Sequence, residues 1–176
     1  VGVGIDINSS TNNTVVGNVI RGAFSQGIQT KHPSGDTTAM NTISGNTIVG
    51  ANVGIYSQNS SRNVLTGNTI ETSAISGIWI NSAPYTGVYG NTVRSSVEHG
   101  IKIQASPSTK VLHNHVEKSR SGAAGTFYAL AVINSTNVRV DGNTLLMSNG
   151  ETGLVSIDVD STTPHFGLLY LFIGGS

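Results

Sequence analysis

The residues best suited to chemistry are few. Asp158 and Asp160 stand two positions apart. On one strand they point the same way, about 7 Å apart. Glycosidic hydrolysis uses two carboxyl groups, ~5–5.5 Å apart in retaining enzymes and ~6.5–9.5 Å apart in inverting ones. The spacing fits an inverting pair in distance, and fits a solvated strand end or a Ca²⁺ site as well. No other cofactor is expected. Asp6 is too far along the chain to join this pair.

A second cluster is Glu98-His99-Gly100-Ile101-Lys102. It offers a histidine at a bend just before a strand and an outward lysine, both able to move protons. The plainer account is an ordinary surface. Tyr56 and Trp79 carry a third kind of chemistry. Placed side by side, two rings make a platform for the apolar C–H face of a sugar. Gln29, Gln58, Asn81 and Gln104 are then placed to meet its hydroxyls. Lateral packing and burial in a subunit interface are the alternatives.

What must position these residues is a repeat. Gly17-Asn18-Val19-Ile20 recurs as Gly45-Asn46-Thr47-Ile48, Gly67-Asn68-Thr69-Ile70, Gly90-Asn91-Thr92-Val93, His113-Asn114-His115-Val116 and Gly142-Asn143-Thr144-Leu145. The asparagines are 28, 22, 23, 23 and 29 residues apart. Gly4-Ile5, Gly54-Ile55, Gly77-Ile78, Gly100-Ile101 and Ala129-Leu130 each stand at one fixed distance ahead of an asparagine, with Gly27-Ile28 displaced by an insertion. A second insertion lies near Ser119–Phe127. Phase survives both, as loops in a solenoid require.

Within each repeat the apolar residues alternate, the pattern of half-buried strands. Four columns emerge. They begin at Ile5, Ile7, Val15 and Ile20 and are aliphatic or β-branched almost throughout. No segment sustains a helical period. The sequence therefore predicts an all-β, right-handed parallel β-helix of about seven coils, with three short strands per coil. It covers residues 1–160, and 161–176 form a terminal cap or subunit-contact segment. The asparagine column is expected to be a structural ladder. Glu71, Arg94 and Glu117 fall on successive coils as an ion ladder. His113 and His115 flank an inward asparagine and are not expected to converge on a metal.

These Gly-Ile-x-Ile and Asn-x-[Thr/Val]-[Ile/Val/Leu] phrases resemble those of the pectin-lyase-like right-handed β-helix superfamily. That group includes polysaccharide lyases, polygalacturonase-type hydrolases, uronate epimerases and bacteriophage tailspikes. The resemblance implies a groove on the outward face of the first strand of each coil. The columns Asp6, Gln29, Tyr56, Trp79, Lys102, Ala131, Asp158 and Asn8, Lys31, Gln58, Asn81, Gln104, Asp160 would line it. His99-Gly100 with Lys102 is similar to part of the polygalacturonase pattern, though the accompanying aspartates are missing. A lyase reading makes Lys102 the base that takes a C5 proton. Family members usually cap the first coil with a helix, which this sequence lacks. An open edge invites association, so a longer parent chain or neighbouring subunits are expected to cover it, and the resemblance to tailspikes implies a homotrimer.

Composition sets outer limits. Nine acids balance nine bases, and only 10% of residues are charged. A broad electrostatic nucleic-acid surface is therefore not expected. No apolar stretch approaches the ~20 residues of a membrane span. Without cysteine there is no disulfide framework. The sequence reading is an extracellular or virion-surface protein directed at a polysaccharide or cell-surface glycan, most like a tailspike segment that binds or depolymerises it. The alternatives are a secreted lyase, hydrolase or epimerase, and a non-catalytic structural segment.

Overall fold

The computed structural model describes residues 2–22, 24–33, 37–118, 128–147 and 155–158. They wind into a parallel β-solenoid without helix. The first sheet orders Val3–Asn8, Gln26–Lys31, Val53–Gln58, Ser76–Asn81, His99–Gln104, Leu130–Ile133 and Val155–Asp158 as neighbours. The second contains Thr14–Val16, Thr42–Ser44, Val64–Thr66, Gly87–Tyr89, Lys110–Leu112 and Arg139–Asp141. The third contains Val19–Arg21, Thr47–Val49, Thr69–Glu71, Thr92–Arg94, His115–Lys118 and Thr144–Met147. Among the described residues, six coils supply all three strands and a seventh supplies its first. The described stack is thus slightly shorter than seven coils. Residues 161–176, read as a cap, lie outside the described residues.

The predicted columns stack in register. Ile5, Ile28, Ile55, Ile78, Ile101 and Leu130 pair in sequence along the first sheet. Leu65 lies between Ile43 and Val88 in the second, and Ile70 between Ile48 and Val93 in the third. Apart from Ile5 on the first coil, which is half-buried, these side chains are 0% exposed and fill the interior of the spiral. Thr30 and Ser57 interrupt one column, yet they too are fully buried. Thr30 Oγ1 donates to Ser57 Oγ at 3.1 Å, and Asn63 Nδ2 donates to both hydroxyls. A buried polar group without such partners would destabilise the core.

The asparagine ladder is closed on both sides. Asn68 Oδ1 accepts from the backbone N–H and from Nδ2 of Asn46, each at 3.0 Å. Asn91 and Asn114 continue the relay. Each buried Nδ2 also donates to a carbonyl one coil back, as Asn91 does to Leu65. Ahead of this ladder the chain turns with positive φ, at Gly17, Gly45, Gly67, Gly90, His113 and Gly142. Glycine bears that conformation without the ~1–2 kcal/mol charged to other residues.

A second ladder runs through Asn13, Asn41 and Asn63. The residue before each rung again has positive φ, and there the chain uses Asn12, Met40, Arg62, Tyr85, Ser108 and Asn137. A different constraint acts at Gly77. A Cβ there would strike Val93 Cγ1 and lie 2.8 Å from the carbonyl oxygen of Gly100.

Candidate active site on the outward face of the first sheet

Alternation along each first-sheet strand turns two columns outward. Asp6, Gln29, Tyr56, Trp79, Lys102 and Ala131 lie side by side in that order. Beside them run Asn8, Lys31, Gln58, Asn81, Gln104 and Ile133.

The rings of Tyr56 and Trp79 are 5.1 Å apart at their centres and inclined at 52°. Both are half-buried. They pack as a tilted pair, a favoured arrangement for two aromatic quadrupoles, and do not form one flat shelf. Asn81 Nδ2 donates to Tyr56 Oη at 3.1 Å, fixing the phenol from the adjacent coil. Lys102 Nζ lies 4.3 Å from the centre of the indole. The ammonium therefore covers part of the Trp79 face.

Gln29 is turned toward Asp6, donating from Nε2 to Oδ1 at 3.2 Å. Gln58 is half-buried between Lys31 and Asn81. Two polar atoms on this face are inaccessible and lack a hydrogen-bond partner: the donor Trp79 Nε1 and the acceptor Gln104 Oε1. They stand on adjacent coils in diagonal register.

His99 is the first residue of its strand and is 8% exposed. Its Nδ1 accepts the Tyr128 backbone N–H at 3.2 Å, and the two rings stack with centres 6.0 Å apart. Three residues along a strand, about 10 Å, separate it from Lys102. The structure does not bring the two together as an acid–base pair.

Asp158 pairs with Ile133 and so extends the Asn8–Gln104 column, two residues out of the Asp6 column where the repeat pattern puts it. A slip of two residues keeps every side chain on its face, so alternation alone does not reveal it. Asp160 lies outside the described residues. Among the described residues, no three His, Cys, Asp or Glu side chains gather where they could hold a metal ion. Glu71 and Glu117 bracket Arg94 at 3.8 and 3.5 Å, the expected ion ladder.

Sequence reasoning passed over Arg62 and Tyr85. The Arg62 guanidinium carbon lies 4.8 Å from the centre of the Tyr85 ring. Their position, one residue ahead of the second ladder, is the signal that finds them.

The family described as "Periplasmic copper-binding protein (NosD)" matches residues 1–157. No curated protein sequence matches the chain. Solved structures share the fold. A double mutant of the periplasmic alginate epimerase AlgG aligns with a TM-score of 0.71 and 19% identity over 93% of this chain. A second structure of the same epimerase gives a TM-score of 0.53 and 17% identity, also over 93% of the chain. The chain spans only 37% and 39% of those two structures, so the likeness concerns the coil stack.

Proposed function

Because this chain belongs to the NosD family through residues 1–157, we propose that it works outside the cytoplasm as a β-helix that binds a polysaccharide along the outward face of its first sheet. The observation that carries the reading is the arrangement around Trp79. An aromatic pair, an ammonium and the half-buried amide of Gln58 lie on neighbouring coils of one rigid face. Sugars present the complementary mixture, an apolar ring face rimmed by hydroxyls. Coils ~4.8 Å apart repeat that surface along the axis, which suits a polymer. The periplasmic wording of the family description and of the AlgG structures supports a place beyond the inner membrane.

The family description also names copper. The described residues do not fit a copper centre. The chain has no cysteine, and no cluster of potential ligands forms among the described residues. His113 sits at an exposed bend and His115 on the following strand, either side of the buried Asn114. No step is assigned to a metal.

The narrower reading, a trimeric tailspike shaft, rests on sequence features alone. A second reading is turnover of an acidic sugar with Lys102 as the proton acceptor. It draws on the outward placement of Lys102 and on the epimerase named in the structural comparison.

A glycan array followed by calorimetry tests the binding reading. Wild-type protein is expected to retain oligosaccharides, and Trp79→Ala to lose them while keeping its circular dichroism spectrum. Retention by Trp79→Ala, or no glycan bound by the wild type, would overturn it. Products absorbing in the near ultraviolet would establish β-elimination.

A further inference from the structure

In each of six coils the residue just ahead of the second ladder's position has left-handed backbone, and in five of them a second such residue (Ser9, Asn59, Ser82, Ala105 or Asn134) opens the same bend. At Met40, Arg62 and Tyr85 the φ angles are 49°, 59° and 58°. Large side chains rarely adopt this region, and strain of this kind concentrates where function demands it. The outer coils meet the same demand with Asn12, Ser108 and Asn137. Ahead of the first ladder the chain meets it with glycine in five of six coils. The fold thus requires the conformation and does not require these three side chains. Backbone bonds tie the ridge together coil by coil: Arg62 N–H donates to Pro84 O and Tyr85 N–H to Pro107 O, both at 3.0 Å.

The three side chains are open to solvent. Met40 is 49% and Tyr85 55% exposed, and Arg62 is exposed as well. Arg62 has no carboxylate partner among the described residues; its guanidinium rests on Tyr85. The described charged residues around the ridge are basic, while Asp36, four residues ahead of Met40, lies outside the described residues. From the second to the fifth coil, the first-sheet strands and the bends after them carry Lys31, Arg62 and Lys102, and Lys110 opens the next strand. The described residues of those stretches include no Asp or Glu. The acids Glu71 and Glu117 lie on the third sheet, paired with Arg94.

We infer that Met40, Arg62 and Tyr85 form a second contact edge for a sugar chain bearing carboxylates. Arg62 takes a carboxylate through its planar fork of donors. The exposed Tyr85 ring takes the C–H face of an adjoining sugar, and Met40 extends the apolar edge by one coil. The inference rests on the proposed polysaccharide-binding role and adds to it an anionic substrate and a second contact edge on the bend after the first-sheet strands.

The test uses oligogalacturonate as the acidic probe and dextran oligosaccharides as the neutral one, with calorimetry at low and moderate salt. The variant Met40→Asn/Arg62→Asn/Tyr85→Asn places at each bend a residue suited to left-handed backbone. Its unfolding temperature is expected to equal or exceed that of the wild type. Its affinity for oligogalacturonate is expected to fall roughly tenfold or more, as loss of a charge-assisted hydrogen bond implies. The single variant Arg62→Gln is expected to lose affinity in the same direction and guards against a folding effect in the triple. Unchanged affinity in both variants overturns the ridge. If Trp79→Ala still abolishes binding in that case, the polysaccharide reading stands without it. A wild type that binds dextran as tightly as oligogalacturonate also overturns the ridge alone. A wild type that binds neither probe overturns the ridge, and if it also binds no glycan on the array the polysaccharide reading falls with it.

Discussion

Lys102 Nζ sits 4.3 Å from the centre of the Trp79 indole, one coil away on the same sheet. The contact makes the lysine part of the aromatic surface. A cation over a ring at a partly exposed site contributes ~0.5–1 kcal/mol. Lys102→Ala is expected to lower stability by about that amount in urea titration. Trp79 is the only tryptophan, so the same variant should change the intrinsic fluorescence. An unaltered emission spectrum would argue against the stacked geometry.

The asparagine ladder predicts a gradient of sensitivity. Asn91 is 1% exposed and joins Asn68, Asn114 and the Leu65 carbonyl. Removing its amide leaves buried donors and acceptors unpaired at ~1–3 kcal/mol each. Asn91→Ala is expected to destabilise by about 3 kcal/mol or more. Asn18, at the end of the ladder and only half-buried, makes fewer bonds. Asn18→Ala should cost about 1 kcal/mol. Equal losses in denaturant titration would mean that the ladder is not cooperative along the axis.

Two glycines separate steric from conformational constraint. At Gly77 an added methyl meets Val93 and the Gly100 carbonyl, so Gly77→Ala is expected to cost about 1–3 kcal/mol or more through overpacking. Gly45 has φ of 61° with nothing within 4 Å of an added Cβ. Gly45→Ala should cost about 1–2 kcal/mol through backbone alone, and Gly45→Asn less than that. An Asn variant as unstable as the Ala variant would contradict this division.

The ion ladder should contribute little. Arg94 is nearly half-exposed between Glu71 and Glu117. Exposed pairs are worth ~0–1 kcal/mol and are screened by salt. Arg94→Ala is expected to shift the denaturation midpoint by less than Lys102→Ala does at moderate ionic strength.

Periodicity carried the fold into view from sequence. The columns through Ile78, Leu65 and Ile70 were legible because every coil must bury the same positions. The ladder through Asn18 was legible because glycine marks its bend. Its companion through Asn13, Asn41 and Asn63 stands five residues earlier in three coils, then gives way to Thr86, Thr109 and Val138. Half a column is a faint signal. The position of Asp158 was misjudged by two residues because alternation has a period of two. The tilt of Trp79 against Tyr56 and the buried turn of His99 depend on cross-coil packing, which spacing does not encode.

The relay from Asn46 through Asn68 to Asn91 gives each turn the same plug and the same socket. The protein is therefore extensible, like a telescope with interchangeable segments. Duplicating residues 69–91 after Asn91 should add one increment of ~4.8 Å without a new joint to solve. Such grafting offers lineages a graded choice of reach, obtained by copying and not by redesign.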